Sequence, residues 1–422
     1  MKWFDDGSLH FALGIEDTFV PQSRPGERPI DEYELTQHYE QFATDLQLAQ
    51  DVGAEMLRWG VPWYRVAPEP GKWDWAWVDS VMARFGELEL RPIVDLLHYG
   101  TPLWLEGQFT HRDYPNHVTE FAQRFAERYG DVATDYTPVN EPMIHALFSG
   151  QYAYWPPYLS GSSGLVSVAT ALARGFSMSQ RAIADTLGNR ATFVHVDAGV
   201  RYTGDVWSPE HRDEVARLRE QSYLVEDLVT GAVREGHPLL GMLRAGGVTD
   251  DQLDWFTANS VAPDVMGVNY YPRQSTEVFE TGIRHTGGFA DPRPSQDAGT
   301  DGLREVLHCY AKRYGAPVML TETAVTGSVQ ERIRWMDESV ETLLNLRAEG
   351  MRVVGYTWWP LFDMYEWTYR HSTNPRADHL LRMGLFDLVE TPGGHLDRRR
   401  NPVADRFQHH AAAFAGLANI RV

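Results

Sequence analysis

The run HFALGIEDTFVPQ, residues 10–22, decides between two ways of stacking strands against helices. HFALGIE is β-rich and nearly continuous in apolar residues, as a strand covered on both faces requires. A doubly wound open sheet would follow its first strand with a glycine-rich loop that cradles phosphate. Here Gly14 leads into IEDTFVPQ, which carries two carboxylates and a proline and no further glycine. The first turn therefore argues against a nucleotide-binding sheet.

Working outward, the same kind of run recurs along the chain: MLRWGV (56–61), PIVDLLH (92–98), DYTPVN (135–140), ATFVHVDA (191–198), DVMGVNYY (264–271), APVMLTE (316–322) and VVGYTWW (353–359). Helical patterns lie between them. YELTQHYEQFATDLQLAQDV reads as one helix. VTEFAQRFAERYG places Phe121, Phe125 and Ala126 at helical spacing, with Gly130 as its stop. Eight buried strands alternating with helices predict an α/β chain closed into a parallel (β/α)8 TIM barrel, one domain over residues 1–422. The longest connections, 141–190 and 199–262, follow strands four and five, and long βα loops on such barrels build binding sites.

The chain has 422 residues, 43% hydrophobic and 12% aromatic, with a formal net charge of −20. That composition is globular, and its acidity argues against nucleic acid or an anionic membrane surface as the main partner. Cys309 is the one cysteine, so intrachain disulfides and cysteine zinc sites are excluded. The N-terminal MKWFDDGSLHFALGIED puts acidic residues where a signal peptide needs apolar ones. No run approaches the ~18 apolar residues of a membrane span. The expectation is a soluble, cytoplasmic protein.

Polar residues gather at the ends of the predicted strands: Glu16, Arg58, His98, Asn140 with Glu141, His195 with Asp197, Asn269 with Tyr271, Glu322, and Trp358 with Trp359. Barrel interiors prefer branched aliphatics, so such a ring at one end marks a ligand site. TPVNEPM (137–143) shows this most plainly. Adjacent strand residues point to opposite faces, so a strand that aims both Asn140 and Glu141 into a cleft needs a bulge or splay, and Pro142 then stops regular pairing. Two carboxylates on different strands, Glu141 and Glu322, suit a retaining glycosidase, which sets two carboxyl groups ~5–5.5 Å apart across the scissile bond. Arg58 and a hydroxyl such as that of Tyr271 would hold one of them ionised.

These segments resemble glycoside hydrolase family 1, the β-glucosidase and β-galactosidase family of retaining (β/α)8 enzymes. TPVNEPM resembles the family's TFNEP, MLTET its ITENG, and LLHYGTPLWL its HW-x-x-P-x-x-L. DVMGVNYYPR resembles DF-x-G-x-NYY, and WWPLFDMYEW resembles WSL-x-DNFEW; LRWGVPWYRVAP and RMGLFDL match the strand-two and downstream segments. The resemblance implies that Glu141 is the acid/base and Glu322 the nucleophile, with Arg58 and Tyr271 in contact with Glu322. It further implies that His98, Asn140 and Asn269 face the sugar, that Trp359 is the floor beneath its ring, and that Glu366 and Trp367 hold the far hydroxyls. A carboxylate at Glu366 would repel a 6-phosphosugar. The implied activity is exo-acting β-glycoside hydrolysis through a glycosyl-enzyme, on a small carbohydrate substrate, with no metal and no cofactor. The alternatives are a transglycosylase, a β-glycosidase of unusual glycone specificity in the same clan, and a non-catalytic sugar-binding barrel. Oligomeric state is not legible.

The chain departs from the family pattern in three places. The family's first strand is followed by a Gln that grips hydroxyls 3 and 4 with the strand-three His; Pro21 stands near that position, leaving Glu16 or Asp17 to take over. Thr323 and Ala324 replace the Asn and Gly after the nucleophile. Pro360 replaces the Ser that follows the family's Trp, and a cis bond there costs only ~0.5–1 kcal/mol before proline, so a cis Trp359–Pro360 bond is expected. His195 and Asp197 read as a hydrogen-bonded pair lining the barrel rather than as metal ligands. Trp63, Trp73, Trp75 and Trp77 read mainly as packing, and Trp104, Tyr152 and Trp155 as aglycone-stacking candidates.

Overall fold

The computed structural model describes residues 2–281 and 295–415. Eight strands close into a barrel, every pair parallel: β1 (His10–Gly14), β2 (Met56–Gly60), β3 (Arg91–Asp95), β4 (Asp135–Thr137), β5 (Thr192–Ala198), β6 (Val265–Asn269), β7 (Val318–Glu322) and β8 (Val353–Trp358). Each follows its predecessor around the ring, and β1 pairs with both β2 and β8. Seven fall within the runs marked in the sequence, and β3 begins one residue before its run.

Period-two alternation sorts the strand residues into two layers. Ala12, Met56, Ile93, Val194, Val265, Met319 and Val354 form one buried cluster that fills the barrel. Phe11, Leu57, Val94, Tyr136, Met266 and Leu320 belong to a second, which packs between the barrel and its helices; Tyr356 joins it because the β7–β8 register slips after Val353, so alternation does not run on from Val354. Trp3 joins the interior cluster, and its indole nitrogen donates to Asp135 at 2.8 Å.

The outer layer includes α1 (His38–Asp51), α2 (Ala76–Leu88), α3 (Tyr114–Tyr129), α4 (Gly161–Leu187), α5 (Leu224–Val229), α6 (Gly299–Tyr314), α7 (Val329–Ala348) and α8 (Pro402–Ala415). On α3 the buried residues Tyr114, Val118, Phe121, Ala122, Phe125, Ala126 and Tyr129 make one stripe, the spacing an amphipathic helix needs. Gly130 does end α3, for a reason other than backbone freedom: its φ is −61°, and a Cβ there would lie 2.3 Å from the Leu187 side chain. The predicted helix over 33–52 is broken. A single turn, Glu32–Leu35, precedes α1, and Gln37 between them has a left-handed φ of 61°. Among the described residues no helix is long and apolar enough to cross a membrane.

Candidate active site

At the C-terminal end of the barrel the apolar filling gives way to polar side chains that hydrogen-bond to one another. Arg58, on β2 and wholly buried, is the hub. Its Nη1 donates to Glu322 Oε1 at 2.8 Å and to the Thr321 carbonyl at 3.0 Å. Its Nη2 donates to Asp95 Oδ2 at 2.6 Å and to Asn140 Oδ1 at 2.7 Å. Burial opposes the guanidinium's charge, but the Asp95 and Glu322 carboxylates more than restore it. Removing one partner of a buried ion pair leaves the others uncompensated and costs about 3–5 kcal/mol. Arg58→Met should therefore destabilise the protein by about that much in chemical denaturation; a loss below ~1 kcal/mol would show that Asp95 and Glu322 do not depend on it.

The two glutamates reach the site through local departures from regular strand geometry. With Met319 and Thr321 on the inward face of β7, strict alternation would turn Glu322 outward. The register between β6 and β7 slips between Leu320 and Glu322, which brings Glu322 opposite Asn269 and returns it to the mouth. After β4, Asn140 makes an isolated parallel bridge with Val196, and its N–H donates to the Leu97 carbonyl. Glu141 then adopts φ 42° and ψ 58°, left-handed for a non-glycine, while its N–H bonds the Val196 carbonyl. Pro142 begins a short helical turn. The splay expected from TPVNEPM thus sits at Glu141 itself.

Glu322 Oε2 accepts from the Tyr271 hydroxyl at 2.7 Å. Glu141 Oε1 accepts from the Asn269 amide at 2.9 Å, and its Oε2 accepts from the Tyr99 hydroxyl. Asn269 is oriented in turn by Thr321, whose hydroxyl donates to its Oδ1 at 2.7 Å. Burial pushes the Glu322 carboxyl up, to about 8, with Arg58 opposing and the Glu141 charge adding to the rise. The guanidinium touches Glu322 and not Glu141, so it favours the negative charge on Glu322.

His98 and Trp359 form the adjoining wall. Their rings stack at 5.9 Å and 19°, and the Arg58 guanidinium carbon lies 4.8 Å from the centre of the Trp359 ring. His98 Nδ1 is 2.5 Å from Asp17 Oδ1, a close buried ion pair, and Nε2 faces the Asn140 amide at 3.1 Å. Burial pushes the Asp17 carboxyl up, to about 7, against the pull of His98. Two glycines permit this packing: a Cβ on Gly14 would lie 1.8 Å from the Trp359 ring, and one on Gly60 would lie 2.0 Å from Asp17 Oδ2. Glu16, 3% exposed, accepts from the Trp359 indole nitrogen at 2.8 Å and from the Thr18 hydroxyl at 2.5 Å. The Trp359–Pro360 bond is cis, as expected.

The structure thus gathers Glu16, Arg58, His98, Asn140, Glu141, Asn269, Tyr271, Glu322 and Trp359 at one end of the barrel. Trp367 stands behind Tyr99, ring centres 5.5 Å apart. Glu366 is half exposed, with His379 Nδ1 3.8 Å from its carboxylate, and no hydrogen bond among the described residues ties its side chain to the cluster. His195 and Asp197 are not a pair: His195 bonds Glu226 at 2.8 Å and Gln180 at 2.7 Å, while Asp197 bonds the Ala198 N–H. Trp155, read as a stacking platform, is 1% exposed and packed against Tyr99 and Trp367. Trp104 donates to the Ala67 carbonyl at 2.7 Å and staples a loop. The sequence reading missed Asp95 and Tyr99. Asp95 shares the inward face of β3 with Ile93, a parity that could have revealed it.

Comparison with known proteins fits this arrangement. Residues 13–186 match the family described as glycosyl hydrolase family 1. The chain is 23% identical over 412 residues to the 4-hydroxy-7-methoxy-3-oxo-3,4-dihydro-2H-1,4-benzoxazin-2-yl glucoside beta-D-glucosidase 1b of Triticum aestivum, covering 84% of this chain and 70% of that one. It is 23% identical over 464 residues to a beta-galactosidase of Saccharolobus solfataricus, covering 92% and 84%. Among solved structures, the family 1 β-glucosidase from Thermotoga maritima superposes with a TM-score of 0.79 at 18% identity, over 96% of this chain and 97% of that one. At that identity the superposition speaks for the fold.

Proposed function

We propose that the chain is a member of glycosyl hydrolase family 1 and, on that premise, an exo-acting β-glycosidase that hydrolyses its substrate with retention, Glu322 as nucleophile and Glu141 as acid/base. One observation carries the assignment of roles: both strong donors, Arg58 and the Tyr271 hydroxyl, converge on Glu322, while Glu141 receives an amide and a phenol and no cation. These donors favour the charged form of Glu322 against the burial that raises its carboxyl, which leaves the acid/base role to Glu141.

In the first step Glu322 attacks the anomeric carbon while the bond to the leaving oxygen breaks, and Glu141 gives that oxygen its proton. The sugar is then an ester of Glu322. In the second step Glu141, now a carboxylate, takes a proton from water as the water oxygen attacks the same carbon and Glu322 departs. Each displacement inverts the centre, so the product keeps the β configuration. In this reading Asn140, held between Arg58 and His98, binds the hydroxyl next to the anomeric carbon, and Trp359 floors the ring.

The direct test is proton NMR of an aryl β-glycoside during turnover. The β-anomer of the free sugar should appear first and then mutarotate. First appearance of the α-anomer would overturn the retaining assignment.

The raised carboxyl also sets a pH dependence. Glu322 must be ionised to attack, and burial raises its carboxyl to about 8, so kcat/KM should climb as pH rises toward that value. The folded state binds this proton more tightly than the unfolded chain does. The associated stability is therefore full below the ordinary carboxylate range and lost as pH rises through about 8. A pH–rate profile that stays flat between pH 5 and 9 would contradict the raised Glu322 carboxyl.

A further inference from the structure

A proton donor has to present the right edge of its carboxyl to the leaving oxygen, and the backbone of Glu141 does not fix that edge. Its left-handed conformation sets where the side chain starts, not how the carboxyl is turned. A glutamate carboxyl turns about its last bond, a broad and soft torsion. Here each oxygen carries one tie: Oε1 accepts from the Asn269 amide at 2.9 Å, and Oε2 accepts from the Tyr99 hydroxyl. Two ties on two oxygens fix the plane of the carboxyl, whereas one tie alone would leave a pivot.

Tyr99 is itself held in place. It is 3% exposed, and its ring centre lies 4.6 Å from that of His98, 4.5 Å from His145 and 4.8 Å from Trp155, with Trp367 behind it. The polarity of its hydroxyl is set as well. Arg58 donates to Asn140 Oδ1, which turns the Asn140 amide nitrogen toward His98 Nε2 and, at 3.4 Å, toward the Tyr99 oxygen. The Tyr99 oxygen accepts there, so its own hydrogen is aimed at Glu141 Oε2. Burial, and then the Glu141 and Glu322 charges, push the phenol well above its usual range, so it keeps that hydrogen. Tyr99 follows His98 where HW-x-x-P-x-x-L has its tryptophan, so the hydroxyl is a departure of this chain from that motif.

We propose that Tyr99 is a positioning residue for the acid/base: its hydroxyl holds the Glu141 carboxyl in the plane from which a proton is given to the leaving oxygen and taken from water. This rests on the glycosidase reading, which supplies the role of Glu141. Tyr99 acts through Glu141 and transfers no proton of its own in either step.

The test compares wild type, Tyr99→Phe and Glu141→Ala on 2,4-dinitrophenyl and methyl β-glycosides of a sugar that the wild type turns over. Tyr99→Phe removes one oxygen and leaves the ring among its neighbours. Dinitrophenolate leaves without a proton, so kcat/KM on that substrate should stay within ~3-fold of wild type. Methoxide needs the proton, so kcat/KM on the methyl glycoside should fall ~10–100-fold, the cost of a misplaced acid. On the dinitrophenyl substrate kcat and KM should drop together, because water then meets a base that has lost its plane. A merely structural part for Tyr99 would lower kcat/KM equally on both substrates. That result, or an unchanged kcat/KM on the methyl glycoside, would overturn the proposal. Glu141→Ala separates the two readings. If it shows the leaving-group split and Tyr99→Phe does not, the proposal fails by itself. If Glu141→Ala shows no split, or the wild type turns over no β-glycoside, the catalytic reading fails and takes this one with it.

Discussion

Replacing Glu322 with alanine should lower kcat on aryl β-glycosides on the order of 10⁴–10⁶-fold. The loss has that size because the substitution removes the atom that forms the glycosyl-enzyme, a contribution of about 7 kcal/mol at 10⁵-fold. It also leaves a cavity beside Arg58 and Tyr271, whose donors then face whatever enters. A small anion such as azide, added in excess, should occupy that place and attack the anomeric carbon from the vacated face. The product is the α-glycosyl azide, formed in a single inversion and not hydrolysed further. Recovery of α-azide assigns the nucleophile by stereochemistry, independently of rate. Activity within tenfold of wild type, or an azide product of β configuration, would mean that the nucleophile is elsewhere.

Glu141→Ala should give the complementary result. A leaving group as acidic as 2,4-dinitrophenol needs no proton, so glycosylation of Glu322 should continue at close to its original rate. The second step loses its base and should slow ~10²–10⁴-fold. The glycosyl-enzyme then accumulates, and KM should fall together with kcat while a burst of phenol appears. Substrates with alkyl leaving groups should lose the first step as well. Azide should now rescue from the opposite face and yield the β-glycosyl azide. If the loss of rate were the same for both leaving groups, Glu141 would have a structural part rather than an acid/base one.

How much of this could be read beforehand depended on how far each feature is set by neighbours in sequence. The strands were legible because residues such as Phe11 and Ala12, or Leu57 and Met56, are apolar on both faces, a property of each run by itself. Arg58, Glu141 and Glu322 stood out as charges at the ends of such runs. The break at Gln37 was not legible, because helical periodicity on either side of a single left-handed residue continues almost unchanged. Tyr99 escaped notice because its hydroxyl acquires its meaning from Glu141, 42 residues and one strand further on, and because Glu141's own direction comes from a backbone conformation. Trp155 was misjudged for the converse reason: an aromatic in a loop looks exposed until another loop, carrying Trp367, covers it.

The seam of the barrel has a consequence for how the molecule is made. β1 finds its second neighbour in β8, residue 10 beside residue 355, and Glu16 meets the Trp359 indole across 343 positions. During synthesis the first strand therefore leaves the ribosome with one edge unsatisfied, an invitation to wrong pairing, until nearly the whole chain has followed. Such long-range closure is slow to form. Trp359, the proposed sugar floor, and the carboxylate beside it come into being together as the last strand docks, so a chain cut before residue 353 would carry Arg58, Glu141 and Glu322 without the ring on which we propose the sugar lies.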